Sequence, residues 1–275
     1  MTPKISIITI NRNNADGLRK TMESVLHQTS INFEYIVIDG ASTDESLEII
    51  RSFKLSNHQA FNYISEPDSG VYNAMNKGIL LSKGEYLLFL NSGDFLVNDK
   101  VLENICSNRL KADIICGRCN ISDHGKVIHT TTPPDFVTFG TLYLTGLAHQ
   151  STLIKKTLFL QLGLYDETFK YNADVEFWYR SIIFGEASTQ KIDIIISDYN
   201  LGGISSMENC TDEFKEEHKR ILSHPVLKRI VPDFEKIKDE KSELYILYWV
   251  KSKKTLYKIL VLFYKIAKRI NGRKK

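Results

Sequence analysis

The chain has 275 residues, of which 43% are hydrophobic and 25% are charged. These values are typical of a globular protein that buries a sizeable core and needs no disulfide bonds to fold. Ten of its 36 Lys and Arg residues lie in residues 251–275, which contain no Asp or Glu, so the remainder is acidic. This asymmetry argues against a nucleic-acid-binding body and predicts a C-terminal segment with a partner of its own.

The cysteines predict neither a disulfide framework nor a metal site. Cys116 and Cys119 form a C-x-x-C pair, but a zinc site requires a second such pair and the chain has none. A redox pair would open a helix after a strand. This pair instead lies inside residues 113–121, an apolar run that predicts a strand with a Gly bend. We therefore predict that both thiols are inert.

The start of the chain has no features of a signal peptide, because residues 1–7 lead directly into an apolar, β-branched run. No stretch of the sequence reaches the ~18–20 apolar residues that are needed to span a bilayer. The sequence therefore predicts a protein that is made and kept in the cytoplasm.

The first half of the chain alternates between strand and helix patterns. Short apolar runs predict strands, and apolar residues at helical spacing predict helices between them. This alternation predicts βαβ units and an α/β fold with a mostly parallel sheet and helices on both faces. The predicted strands are residues 5–10, 33–38, 61–65 and 86–90, and the predicted helices begin near residues 18, 43 and 71.

Polar residues follow each of these four strands, in residues 11–14, 39–44, 66–70 and 91–94. The carboxyl ends of parallel strands meet at one edge of the sheet, and ligands of open α/β sheets bind beyond that edge. Three of the four polar segments contain acidic residues. The sequence therefore predicts a polar binding site at this edge.

The pattern changes in the second half. Residues 112–154 predict shorter strands, with turns at Gly117, Gly125, the Pro133-Pro134 pair and Gly140. A helix is predicted near Asp174, and it is followed by a strand over residues 192–196. We expect this β-rich half to supply a wall for a second substrate.

These patterns predict a division of the chain into two parts. Residues 1–210 are predicted to form one domain, with a first half over residues 1–97 and a second half over residues 98–210. Residues 211–275 are predicted to form a helical C-terminal extension, because the sequence becomes helical and charged from about residue 212.

Two acids follow the second predicted strand. A carboxylate at Asp39 can accept hydrogen bonds from a nucleobase N–H or a ribose hydroxyl, or it can organise the turn. Asp44 immediately precedes helical spacing, which favours a helix cap for that residue. Because Asp44 serves the helix, we favour a ligand contact for Asp39.

Asp94 and Asp174 are the other acids that could carry chemistry. Asp94 ends the segment Asn91-Ser-Gly-Asp94 after the most apolar strand, where a carboxylate can hold Mg²⁺ or Mn²⁺ or simply form a turn. Asp174 opens a predicted helix whose Phe177 and Trp178 share its face. It is either a helix cap or a general base, whose pKa the neighbouring aromatic side chains would raise.

Two further side chains lie near these positions in the sequence. His149 precedes another predicted strand, and a lone His is more often a satisfied structural residue than a ligand. Arg180 lies four residues after Glu176, and this spacing predicts an ion pair between them on one helix face.

With these positions in hand, the chain resembles an inverting family 2 glycosyltransferase with the GT-A fold. The resemblance covers about residues 4–206 and is closest to bacterial enzymes that build capsule, colanic-acid-like or O-antigen polysaccharides. The motifs that carry it are residues 5–14, 37–44, 65–79, 84–94, 148–152, 163–167, 173–180 and 201–205.

The resemblance implies that residues 1–97 are the nucleotide-sugar-binding half and residues 98–210 the acceptor half. It also implies a role for each candidate residue. Asp174 would be the general base, and Asp94 would match the last acid of the metal-binding D-x-D region, with Mg²⁺ or Mn²⁺ as the cofactor. His149 and Arg180 would contact the donor or the acceptor. The residues assigned to the nucleotide-sugar site are Thr9, Asn11, Asp39, Asp68, Lys77, Asn91 and Asp94.

Residues 245–275 predict a basic amphipathic helix with aromatic residues at its start. Such a helix suits the anionic surface of a membrane, or it docks on the protein's own core or on a second subunit. We favour the membrane, at the inner face of the plasma membrane, where a lipid-linked saccharide acceptor would lie. The oligomeric state stays open.

The predicted function is transfer of a sugar from a nucleotide-diphosphate donor, with UDP favoured, to an acceptor hydroxyl. A sugar nucleotidyltransferase is a weaker alternative, because residues 11–14 lack the Gly-rich phosphate loop that it would need. A non-catalytic, nucleotide-sugar-binding partner subunit is the other alternative, because Asn91-Ser-Gly-Asp94 carries only one carboxylate.

Overall fold

The computed structural model describes residues 4–30, 32–56, 61–201, 212–253, 258, 261 and 263. The chain divides into two compact units, Met1–His218 and Lys219–Lys275. The motif at residues 201–205, the predicted domain boundary at residue 210 and most of the predicted tail helix lie outside the described residues. The domain division proposed from the sequence therefore stays a prediction.

The first half of the chain alternates strand and helix, as predicted. Apolar β-branched runs form the strands, and helix-spaced Leu18, Met22 and Val25 turn one buried face of the first helix to the core. The elements are β1 (Ile5–Asn11), α1 (Ala15–Leu26), β2 (Phe33–Asp39), α2 (Ser46–Ser56), β3 (Asn62–Ser65), α3 (Val71–Leu81) and β4 (Tyr86–Phe89).

The second half mixes strands with short helices. A turn of 3₁₀ helix, His149–Ser151, leads into β8, and α7 continues as a π-helical stretch, Tyr179–Phe184. The elements are β5 (Phe95–Leu96), α4 (Val101–Ser107), β6 (Ile114–Asp123), β7 (Lys126–Thr130), α5 (Phe139–Leu144), β8 (Thr152–Lys155), α6 (Lys156–Leu162), α7 (Ala173–Trp178), β9 (Thr189–Asn200), α8 (Asp212–Leu222) and α9 (Leu227–Ser252).

One sheet joins the strands in the order β3-β2-β1-β4-β8-β6-β9-β5, with β7 beside β6. β1 to β4 pair in parallel, whereas β8 runs antiparallel to both β4 and β6. The register sets Asn11 opposite Asp39, and Asp39 opposite Ser65. The carboxyl ends of three neighbouring strands therefore lie side by side.

The core lies against both faces of this sheet. Every residue of β1 and of β4 is buried, which is the pattern of a parallel sheet covered on both sides. Aromatic rings connect the two halves: Phe89 meets Phe159 edge to face with a centroid distance of 6.3 Å, and Phe159 stacks on Phe177 at 4.3 Å.

Two turns predicted in the second half are wrong. Gly117 lies within the continuous strand β6, where a Cβ would collide with Ile196 of β9, so the glycine permits close packing instead of a turn. Gly140 lies inside α5, whose start is closed by a capping box between Thr138 and Thr141. The strand predicted over residues 192–196 is the central part of the longer β9.

The helix cap predicted for Asp44 is confirmed. Asp44 accepts hydrogen bonds from the backbone N–H of Ser46 and of Ala15, each 3.0 Å long, so it caps α2 and also supports the start of α1. Cys116 and Cys119 are free and buried. Burial raises the pKa of the Cys116 thiol to about 12, as expected for an unreactive thiol.

Among the described residues, no helix is both long enough and apolar enough to cross a membrane.

Candidate active site

Asp39 organises the ends of β1, β2 and β3. Its Oδ1 accepts from Asn11 Nδ2 at 2.9 Å and from the Ser42 hydroxyl at 2.5 Å. Its Oδ2 accepts from the Ser42 N–H at 3.0 Å and from the Ser65 hydroxyl at 2.7 Å. The carboxylate is fully buried, and all four of these hydrogen bonds stabilise the turn after β2. Direct contact between Asp39 and a donor stays a prediction.

Asp68 and Lys77 lie at the same sheet edge as Asp39, beyond the end of the neighbouring strand β3. The Asp68 carboxylate packs against Gly40, beside Asp39, and lies 4.0 Å from the guanidinium of Arg12. Lys77 pairs with Glu66 at 2.8 Å and donates to the Pro67 carbonyl at 2.9 Å. Both side chains therefore shape the loop that leads into α3.

Thr9 lies below this edge. The side chain is fully buried within β1, and its hydroxyl accepts a hydrogen bond of 3.1 Å from the Tyr35 hydroxyl. A contact between Thr9 and a donor stays a prediction.

The loop after β4 is tied to the loop after β1. Asn14 Nδ2 donates to the Ser92 carbonyl at 2.9 Å, and the Thr21 hydroxyl donates to the Asp94 carbonyl at 2.6 Å. Gly93 has a φ of 109°, a conformation that side chains other than hydrogen rarely allow. Together these contacts fix the direction of the Asn91-Ser-Gly-Asp94 segment.

Asp94 is buried, with 6% of its surface exposed, and it lies close to a second acid, Asp198. Burial raises the pKa of Asp94 to about 7, the His149 imidazole opposes the rise, and the Asp198 carboxylate adds to it. Asp198 reaches this place because it pairs with Phe95 across β5 and β9. The single carboxylate of the Asn91-Ser-Gly-Asp94 segment is thus joined by a second carboxylate, from β9.

The two carboxylate oxygens of Asp198 differ in their hydrogen bonding. Oδ2 accepts a hydrogen bond of 2.9 Å from the Ser122 hydroxyl, while Oδ1 is buried and has no hydrogen-bond partner among the described residues. A buried carboxylate whose pKa is raised by a second carboxylate favours a nearby cation, and oxygen ligands are what Mg²⁺ and Mn²⁺ prefer. Among the described residues, no three His, Cys, Asp or Glu side chains form a complete metal cage.

Asp174 lies between Tyr72 and His149. Its Oδ1 is 2.9 Å from the Tyr72 hydroxyl, and its Oδ2 is 3.4 Å from His149 Nδ1. Burial by itself would raise the pKa of Asp174, but the His149 and Tyr72 contacts outweigh burial and lower it. Asp174 is therefore held as a carboxylate, the form that can accept a proton.

His149 connects this base to the loop after β4. Its Nε2 is 3.4 Å from Asn91 Nδ2, on the side of the ring opposite Asp174. Burial lowers the pKa of His149, but the nearby Asp174 and Asp94 carboxylates outweigh burial and raise it. A continuous set of contacts thus runs from Tyr72 through Asp174 and His149 to Asn91, close to Asp94.

Arg180 is engaged in structural contacts. Its guanidinium donates to Glu176, which confirms the predicted pair, and also to the carbonyls of Leu162, Gly163 and Leu164. The Leu164 carbonyl contact is 2.8 Å long. These bonds hold the segment after α6 against α7, and a contact between Arg180 and substrate stays a prediction.

Sequence reasoning missed Tyr72, Asp198 and Ser65 as members of this site. Tyr72 is on the face of α3 that also buries Met75 and Ile79, so it reads as a core residue in a helical pattern. Asp198 lies near the end of β9, two residues after the apolar run of residues 192–196, which is close to the signal that identified Asp39 and Asp94. That signal could have found Asp198, whereas Tyr72 required the fold.

The family model for glycosyl transferase family 2 matches residues 6–151, more than half of the chain. A PGL/p-HBAD biosynthesis glycosyltransferase of Mycobacterium bovis is 30% identical over 213 residues, which cover 74% of this chain and 80% of the relative. The chain belongs to glycosyl transferase family 2. The protein is therefore a glycosyltransferase, as predicted.

Two solved structures confirm the predicted α/β GT-A fold of this glycosyltransferase. TarS of S. aureus in complex with UDP-GlcNAc matches with a TM-score of 0.59 at 18% identity, over 72% of this chain and 58% of that chain. A mannosyltransferase of Pyrobaculum calidifontis in complex with GDP-Man and Mn²⁺ matches with a TM-score of 0.54 at 16% identity, over 72% and 57%. The glycosyltransferase thus spans less than two thirds of each solved chain.

Replacing His149 with Ala is expected to lower the free energy of unfolding by about 2 kcal/mol, because Asp174 loses a buried partner. The lowered pKa of Asp174 gives stability that is present above about pH 4 and is lost as the pH falls. The raised pKa of His149 gives stability that is present below about pH 6.5 and is lost as the pH rises. Urea unfolding should therefore show the largest deficit between about pH 4 and 6.5.

The control is His129→Ala, which removes an exposed histidine from β7 and should change stability by less than about 0.5 kcal/mol. A His149→Ala deficit that is the same at pH 5 and at pH 9 would contradict the ionic pairing of His149 with Asp174.

Proposed function

We propose that this glycosyltransferase transfers a sugar from a nucleotide-diphosphate donor, with UDP favoured, to an acceptor hydroxyl with inversion at the anomeric carbon. The observation that carries the proposal is the Asp174 carboxylate, held ionised within reach of the loop after β4. The ends of β1, β2, β3 and β4 lie at the same sheet edge, which is where donors bind on open α/β sheets.

The proposed chemistry is one direct displacement. Asp174 accepts the proton of the acceptor hydroxyl as that oxygen attacks the anomeric carbon, and the nucleoside diphosphate departs from the opposite face of the sugar. A single displacement inverts the configuration and needs no covalent intermediate on the enzyme. His149 keeps Asp174 ionised, and Tyr72 orients the carboxylate through a 2.9 Å hydrogen bond.

The proposed donor site follows the strand ends. Asn11, Asp39 and Thr9 would serve the base and ribose, directly or through the turn that Asp39 holds. Asp68 and Lys77 would line the site beyond β3. The solved relative that contains UDP-GlcNAc supports a nucleotide-sugar donor, although its likeness to this chain extends to the fold alone.

Asp94 and Asp198 are the proposed holders of Mg²⁺ or Mn²⁺, with donor phosphates completing the coordination. Their proximity and the open Oδ1 of Asp198 suit a cation that prefers oxygen ligands. A divalent cation at this place would neutralise charge on the departing diphosphate. The solved mannosyltransferase with GDP-Man and Mn²⁺ is consistent with such chemistry on this fold.

Asp174→Asn is expected to lower the rate of transfer by at least about a hundredfold, because an amide cannot accept the acceptor proton. Donor affinity should stay within about twofold, since Asp174 is proposed to act on the acceptor. Nucleoside diphosphate release, measured with a panel of UDP-sugars and short saccharide acceptors, and calorimetry with UDP test both expectations.

The control for that variant is Asp193→Asn, which removes an exposed carboxylate from β9. It should leave both rate and affinity unchanged. Near-normal turnover of Asp174→Asn would refute Asp174 as the base, and loss of UDP binding would give it a different role.

If Asp94 and Asp198 hold the cation, Mn²⁺ should increase the affinity for UDP. Asp94→Asn and Asp198→Asn should each reduce this gain in affinity by about tenfold or more, because each removes one anionic oxygen ligand. Asp193→Asn, on the same strand as Asp198, should retain the full gain. Calorimetric titration of UDP with and without Mn²⁺ measures the effect. If Asp198→Asn keeps the full gain, Asp198 is not a ligand.

The acceptor is proposed to be a saccharide, lipid-linked, in the synthesis of a bacterial surface polysaccharide. The relative named for PGL/p-HBAD biosynthesis supports a biosynthetic role for the transfer. We also propose that the protein is cytoplasmic and associates peripherally with the inner face of the plasma membrane through residues 245–275. The basic and apolar residues of that segment support this proposal.

Replacing Lys265, Lys268 and Arg269 together with Gln is expected to weaken binding to vesicles that contain phosphatidylglycerol by about a hundredfold, at ~1 kcal/mol for each basic residue. Gln at Lys83, Lys111 and Lys126, which are exposed residues of the body, makes the same change in charge and serves as the control. Sedimentation with vesicles measures binding. Equal binding by the two triple variants would refute the membrane proposal.

A further inference from the structure

One acidic side chain binds the segment that leads into the base. Glu217 of α8 accepts hydrogen bonds from three consecutive backbone N–H groups, those of Lys170, Tyr171 and Asn172, at 2.5, 3.0 and 3.0 Å. The side chain of Asn172 also donates to it at 3.1 Å. Its two oxygens therefore accept four hydrogen bonds from three adjacent residues.

This segment ends at the helix that carries the base. Asn172 is the residue before α7, and its side chain makes no capping bond to the helix. Its amide instead donates to Glu217 and to the carbonyl of Phe214, both in α8. The first N–H groups of a helix have no acceptor within it, so the position of the start of α7 depends on what holds the residues before it.

Asp174 is the second residue of α7. Because the helix begins one residue after Asn172, a shift of the Glu217-bound segment moves the Asp174 backbone with it. The carboxylate must meet both Tyr72 and His149, which belong to other elements. A displacement of about 1 Å at a reacting group is enough to lower a rate by about a hundredfold.

We propose that Glu217 is a positioning residue for catalysis, which fixes residues 170–172 and thereby the place of Asp174. The inference rests on the proposed role of Asp174 as the general base. It assigns to α8 a part in the active site, although α8 follows the last strand of the sheet in the sequence.

The test compares Glu217→Gln with Glu216→Gln, which makes the same change at an exposed neighbour on α8. Hydrogen exchange of the full-length protein should show amides 170–172 exchanging about tenfold faster or more in Glu217→Gln, because their acceptor is weakened. The transfer rate should fall about ten- to hundredfold, while the affinity for UDP stays within about twofold.

A double variant separates positioning from general damage. In the Asp174→Asn background, adding Glu217→Gln should cause no further loss of rate, because the group that Glu217 positions is already disabled. A further loss of the same size in that background would overturn the inference. Unchanged exchange at residues 170–172, or a parallel loss of UDP affinity, would also overturn it.

The two proposals fail in different ways. Normal turnover of Asp174→Asn refutes the general base, and the positioning role with it. A disabled Asp174→Asn together with a fully active Glu217→Gln refutes the positioning role alone.

Discussion

The carboxylate of Asp174 lies between the hydroxyl of Tyr72 and the imidazole of His149, with little access to water. Burial raises the pKa of a carboxyl group, and these two contacts outweigh burial and favour the ionised form of Asp174. Tyr72 comes from the first half of the chain and His149 from the second. The interaction therefore joins the two halves at the atom that would accept a proton, and packing on either side must hold that geometry.

The sheet supplies the second constraint. In-register pairing of β1 with β2 and of β2 with β3 sets Asn11, Asp39 and Ser65 in one row. Their hydrogen bonds converge on the Asp39 carboxylate, and this turn stays rigid without a ligand. The loop after β4 is fastened to the same region through Asn14 and Ser92. A rigid edge of this kind provides preorganised polar groups, which lowers the cost of binding a donor.

Local patterns were sufficient for the parallel half, because apolar runs and helical spacing there coincide with burial. The same reasoning predicted the helix at Asp174 and the pair of Glu176 with Arg180. It failed at Gly117 and Gly140, where the conformation is set by packing against β9 and by a capping box. It also could not predict Tyr72 or Glu217 at the site, because each acts on residues distant in sequence.

We propose that donor, cation and base meet at one sheet edge, and a crystal structure of the protein with a UDP-sugar and Mn²⁺ is the sharpest test. We expect uracil beside the turn that Asn11 and Asp39 form. We expect Mn²⁺ on carboxylate oxygens of Asp94 and Asp198, and the anomeric carbon of the sugar facing Asp174. A nucleotide sugar bound away from these strand ends, or with Asp174 on the far side of the sheet from the sugar, would contradict it.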